Sequence, residues 1–169
     1  MHNGHLSLIK QLKKQYPNET ICIAVIKDTP LDTKTDFDHA ADGMLSRERN
    51  PFDTQVTLTL IDRVLKAENL DNVLVTLMPR ASVATWPIIT ALFDCERTWV
   101  FTQNQISPDA WEDQKATFYQ SMGDNVVRVP IQKTIAGTLI RQAIKLHDYD
   151  SLATMVPQQV LQYIVENKI

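Results

Sequence analysis

Two imidazoles stand three residues apart at the start of the chain, in Met1-His2-Asn3-Gly4-His5. Near the other end, in Ile135-Ala136-Gly137-Thr138-Leu139-Ile140-Arg141, an arginine follows a glycine and a hydroxyl by one helical turn. Imidazoles donate hydrogen bonds to phosphoryl oxygens, and a protonated ring adds charge. A guanidinium grips a phosphate through two parallel bonds. Gly4 lets a ligand approach the backbone closely, and Gly137 permits a tight turn. Thr138 is expected to cap the helix that follows, and Lys133 lies just upstream as a further cation. If each stretch opens a helix, unpaired N–H groups and the positive end of the helix dipole add to the attraction for phosphate. The two stretches then read as halves of one phosphate-handling site. Taken singly, each has a plainer reading: two surface histidines near a terminus, and a capped helix with a solvated arginine.

The elements that must position these residues follow from hydropathy. Leu6, Ile9, Leu12 and Tyr16 recur at helical spacing, which predicts an amphipathic helix over about 5–16, ended by Pro17-Asn18. The apolar, β-branched run 20–26 predicts a buried strand. Residues 27–50 follow no period, are rich in Asp and Thr, and carry Pro30 and Gly43. They are expected to form a long loop that orders over a bound nucleotide, with a plain surface insertion as the alternative. Further strands are predicted at 72–78, 98–102 and 125–129, the last stopping before Pro130. Helices are predicted at 54–67, 86–93, 109–122, 138–146 and 157–166, with Pro157 suited to a first turn. Strands alternating with helices predict an α/β class with a parallel sheet. Right-handed crossovers lead to a Rossmann-like, doubly wound sheet, which binds ligands beyond the carboxyl ends of its strands. One domain spanning 1–169 is expected.

Composition narrows the function. The net charge of −3 argues against general nucleic-acid binding but leaves room for a small anionic ligand. Cys22 and Cys95 have neither metal-ligand nor redox spacing, as expected of reduced thiols in a cytoplasmic protein. No apolar run approaches the roughly 18 residues of a membrane span. His2, His5, His39, Asp36 and Asp38 share no element at ligand spacing, so no residue is assigned to a metal.

The HxGH of His2, Gly4 and His5, paired with the Gly-Thr-x-x-Arg of Gly137, Thr138 and Arg141, resembles the HIGH-type nucleotidyltransferase superfamily. More narrowly, the chain is similar to the archaeal-type nicotinamide-nucleotide adenylyltransferases, which pair HxGH with SGTxxR. Arg49-Asn50-Pro51-Phe52 matches their Arg-x-Pro-Phe stretch. Asn104 stands for the Asn of a turn after their third-strand region. Trp86 stands for a tryptophan that stacks on nicotinamide, with plain core packing as the alternative. The resemblance implies transfer of AMP from ATP to a phosphate acceptor, foremost nicotinamide mononucleotide, with release of pyrophosphate and Mg²⁺ as cofactor. His2, His5 and Arg141 would offset charge on the ATP phosphates. Gly4, Asn104, Lys133, Gly137, Thr138 and Trp86 would help to bind the nucleotides. The substrates would be small nucleotides, and a cytoplasmic homo-oligomer is expected.

The chain also departs from that family. A strand and a Gly-Arg-Phe-x-Pro-Phe turn precede the family's HxGH, whereas only Met1 stands there here. Met1 is therefore expected to be an internal methionine of a longer frame. The family's Thr-x-x-Glu-Arg is absent, since 53–57 reads DTQVT, and no acidic residue occurs in 80–85, RASVAT. These departures weaken nicotinamide specificity more than nucleotidyl transfer. Two other readings stand beside it: another adenylyl- or cytidylyltransferase, such as one acting on phosphopantetheine, and a non-catalytic nucleotide-binding protein.

Overall fold

The computed structural model describes residues 1–26, 52–105, 110–131 and 135–169. Lys133, the 27–50 stretch with Asp36, Asp38 and His39, and the Arg49-Asn50-Pro51 part of the Arg-x-Pro-Phe match lie outside the described residues. The element order is α1 (Asn3–Gln15), β1 (Ile21–Ile26), α2 (Thr54–Ala67), β2 (Val73–Met78), α3 (Trp86–Leu92), β3 (Thr98–Asn104), α4 (Ala110–Ser121), β4 (Asn125–Ile131), α5 (Gly137–Lys145), α6 (Tyr149–Met155) and α7 (Gln158–Glu166). The chain is thus mixed α/β. It falls into two compact units, one of Met1–Ala24, Pro51–Thr76 and Thr134–Ile169, the other of Val25–Asn50 and Leu77–Lys133.

In the first unit α1 buries Leu6, Ile9 and Leu12, the stripe its spacing predicts. Leu6 joins Val64 of α2, Ala143 of α5, Leu152 of α6, Val156, and Val160 and Ile164 of α7 in one apolar cluster. Asp53 starts α2 by accepting a hydrogen bond from the Val56 N–H at 2.8 Å. Phe52 sets its ring edge-on to Tyr163, with centroids 5.9 Å apart. Helix α6 is absent from the sequence expectation because seven residues are too few to show a period. Its signal is local: Asp148 accepts from the Ser151 N–H at 3.0 Å, an N-cap.

In the second unit β3 and β4 run parallel, in register from Thr98↔Asn125 to Asn104↔Ile131. Both strands outlast their predicted ends by two residues, and β4 runs through Pro130. A proline lacks only the N–H that an outer neighbour would need, so an edge strand tolerates it. Gly123, at φ +89°, closes α4 in a conformation that a side chain would strain. Trp86, Trp99, Phe101, Phe118 and Tyr119 pack edge to face around these elements. Asp124 is gripped bidentately by Arg97 at 2.8 and 2.9 Å and receives the Trp99 indole N–H.

Tyr119 sits against this network. Burial first, and then the Asp124 charge, push its phenol above the ordinary tyrosine range. A phenol with a raised folded value contributes stability that is whole below the unfolded value of about 10 and is lost as pH rises beyond it. Melting temperature should therefore fall from about pH 10 upward, and Tyr119→Phe should flatten that fall while leaving neutral-pH stability nearly unchanged. Parallel declines of the two proteins in a pH series of melts would refute the assignment.

Among the described residues the strands form two two-stranded sheets, β1–β2 and β3–β4. The parallel pairing of β3 with β4 is compatible with the expected α/β class. Among the described residues, no helix is long and apolar enough to cross a membrane.

Candidate phosphate-handling site

Helix α1 begins at Asn3, two residues before its predicted start, because His2 caps it. His2 is extended, at φ −123° and ψ 170°, and its Nδ1 accepts from the His5 N–H at 3.4 Å. An accepting Nδ1 assigns the ring proton to Nε2. The His2 and His5 rings stack, with centroids 3.7 Å apart and planes 20° from parallel. A Cβ on Gly4 would lie 3.0 Å from His2 Cε1 and 3.1 Å from His2 Nδ1. Gly4 therefore makes room for the capping ring itself, a use its sequence context does not reveal. Asn3 Nδ2 donates to the Thr154 carbonyl at 3.0 Å and so ties this helix start to the end of α6. Nothing in the sequence marks Asn3 for that contact.

At α5 the structure corrects two expectations. The cap residue is Ala136, and no side chain caps the helix. Thr138 is already inside it, where its hydroxyl lies beyond the cap position. Its Oγ1 instead accepts from Arg141 Nη2 at 3.2 Å. Nor does Gly137 serve a turn. It is the first helical residue, and among the described residues only Gly123 is a glycine with positive φ. What Gly137 supplies is space, since a Cβ there would lie 3.2 Å from Arg141 Nη1. The Leu139 and Ile140 N–H groups both reach the Ala136 carbonyl, at 3.0 and 3.3 Å.

His2, Gly4, His5, Gly137, Thr138 and Arg141 all belong to the first unit. Both helix starts are anchored on its apolar cluster: Leu6, next to His5, and Ala143 are members, while Met1 and Ile140, next to Arg141, pack against it. Two nitrogen-rich motifs far apart in sequence thus share one core.

Trp86 and Asn104 belong to the second unit. Trp86 is 6% exposed, its ring held by Tyr119 at 5.0 Å and Phe118 at 5.8 Å, so core packing accounts for it. The turn before it carries a signal the sequence reading missed, Ser82-x-x-Thr85. The Ser82 N–H bonds Thr85 Oγ1 at 3.0 Å, and the Thr85 N–H bonds Ser82 Oγ at 3.1 Å, both buried. Asn104 is the last residue of β3, half-buried at the strand's carboxyl end and in register with Ile131. A groove of about 420 Å³ lies along α2 and β2 and is lined in part by Leu58, Asp62, Leu65 and Leu74. None of the motif residues lines it. Among the described residues, no group of three or more His, Cys, Asp or Glu is arranged to hold a metal ion. The sequence matches no protein-family model and no curated protein.

Proposed function

We propose that this chain is a nucleotidyltransferase of the HIGH type, with a Rossmann-like core, transferring AMP from ATP to a phosphate monoester, foremost nicotinamide mononucleotide. One observation carries the reading. Each of two helix starts on a common core lays a nitrogen-rich side chain back over its own first turn, His2 at α1 and Arg141 at α5. Such starts combine N–H donors and a positive dipole end with side-chain donors, which suits a polyphosphate.

The chemistry asks little else of the protein. An acceptor phosphate oxygen attacks the α-phosphorus of ATP, the new O–P bond forms as the bond to the bridging oxygen breaks, and pyrophosphate leaves. The acceptor is already largely ionised near neutral pH, so no general base is required. The work left is alignment and relief of developing charge. Arg141 would take two phosphoryl oxygens with its fork, the stacked His2 and His5 would donate to others, and the N–H groups at the start of α5 would hold the chain of phosphates in line. Mg²⁺ bound to the ATP phosphates would offset part of their charge.

The test is pyrophosphate release by the purified protein from ATP or CTP with nicotinamide mononucleotide or phosphopantetheine as acceptor. Release with ATP and nicotinamide mononucleotide supports the full reading. Release with another pair keeps nucleotidyl transfer and replaces the acceptor or donor. ATP binding without release under every pairing refutes the enzymatic reading and leaves a nucleotide-binding protein.

A further inference from the structure

Arg141 does not reach straight out from α5. Its guanidinium folds back over the first turn, with one amino nitrogen on Thr138 Oγ1 and the other above Gly137. An arginine carries several rotatable bonds, and holding it in one place costs rotamer entropy unless something fixes it. Two neighbours fix it here. Thr138 Oγ1 accepts from Nη2 at 3.2 Å. Gly137 leaves room beneath Nη1, since a Cβ there would lie 3.2 Å away and the guanidinium would have to shift to relieve the contact. The backbone at Gly137 is not of the positive-φ kind that calls for glycine, so its lack of a side chain is its only evident use. Nor does it favour the helix, since glycine is a poorer helix former than alanine.

The other helix start repeats the arrangement independently. The His2 ring lies over Gly4, with Cε1 3.0 Å from where a Cβ would be. In both motifs the glycine sits beneath the motif's own nitrogen-rich side chain.

We propose that Gly137 and Thr138 are positioning residues for Arg141: the glycine by leaving a seat for the guanidinium, and the threonine by accepting its hydrogen bond. Together they hold its outer N–H groups over the start of α5, ready for a phosphate. The functional part of this proposal rests on the nucleotidyl-transfer reading; the geometric part does not.

The experiment uses the whole chain. Gly137→Ala removes no phosphate-binding atom, and the methyl meets the far end of a flexible side chain, which moves aside without unfolding the helix. Its kcat for pyrophosphate release should fall about tenfold, as a slightly misplaced catalytic group entails. KM for ATP should change by less than about twofold, because ground-state binding is spread over many donors. Melting temperature should hold or rise, since alanine is the better helix former. In an Arg141→Ala background the same change should cost nothing further in kcat, because there is no guanidinium left to displace. Thr138→Val should lower kcat about fivefold, the worth of one hydrogen bond, and Thr138→Ser should restore it. An unchanged kcat in Gly137→Ala, or an equal loss in both Arg141 backgrounds, overturns the proposal. So does a kcat loss that merely tracks a lowered melting temperature. If the wild-type chain releases no pyrophosphate with any acceptor, the nucleotidyl-transfer reading fails on its own. Crystal structures of wild type and Gly137→Ala then decide the positioning: a guanidinium on Thr138 in the first and displaced in the second supports it, and one conformation shared by both overturns it.

Discussion

Arg141→Ala is expected to lower pyrophosphate release by about a hundred- to a thousandfold, the usual cost of removing one donor aimed at developing charge. The fold should scarcely notice. The guanidinium's hydrogen bond runs within its own helix, to Thr138, and the side chain is only half-buried. Surface changes of that kind move stability by under about 0.5 kcal/mol. The prediction is thus a large kinetic effect with a small thermodynamic one. It separates an arginine aimed at phosphate from an arginine that simply solvates a helix, which is the plainer reading of the motif. Arg141→Lys is the companion variant. A lysine keeps the charge but loses the planar fork, so it should recover only part of the loss. Stopped assays of pyrophosphate release with ATP saturating, beside thermal melts, give both numbers. Near-normal turnover in Arg141→Ala would remove this residue from the mechanism and leave the two helix starts as ordinary surface.

The second large effect lies in the core. Leu152→Ala should cost about 2–5 kcal/mol, the range for a leucine deleted from a packed interior. Leu152 is fully buried and belongs to the cluster that joins α1, α2, α5, α6 and α7. A typical domain has about 5–15 kcal/mol in hand, so this single change uses a large share of it. The site should feel it as well. Leu6 and Ala143 sit in the same cluster, one residue from His5 and two from Arg141. A cavity there loosens both helix starts together, so turnover should fall most steeply as temperature nears the lowered midpoint. The control is Leu146→Ala. Leu146 is 68% exposed, and its loss should stay within about 0.5 kcal/mol. Denaturant titrations of both variants check this. A Leu152→Ala cost below about 1 kcal/mol would mean that the cluster can collapse around the gap.

Much of this was legible in the sequence wherever the information is local. Helix α1 could be read because Leu6, Ile9 and Leu12 repeat at its period, and the strands because their runs are short, β-branched and bounded by breakers. The candidate residues His2, His5 and Arg141 were legible too, since imidazole and guanidinium chemistry belongs to the side chain and not to the fold. Helix α6 was not, because a seven-residue helix has no period to show and depends on Asp148 and on burial of Leu152. The uses of the two glycines were not legible either. Sequence says only that Gly4 and Gly137 have no side chain; what occupies the vacated space, the His2 ring or the Arg141 guanidinium, is a matter of rotamers. Thr138 shows the same limit, for a hydroxyl near a helix start can cap the helix or accept from a neighbour, and a shift of two positions in the cap decided between them. The burial of Trp86 against Tyr119 is likewise a tertiary contact that sequence alone does not show. By itself, the sequence determined most of the longer elements and which side chains can bear charge, because periodicity and titratable chemistry are properties of short stretches. Only the tertiary structure decided that α1 and α5 stand on one apolar cluster and that each glycine seats its own motif's side chain, because such contacts join residues whose separation along the chain carries no signal.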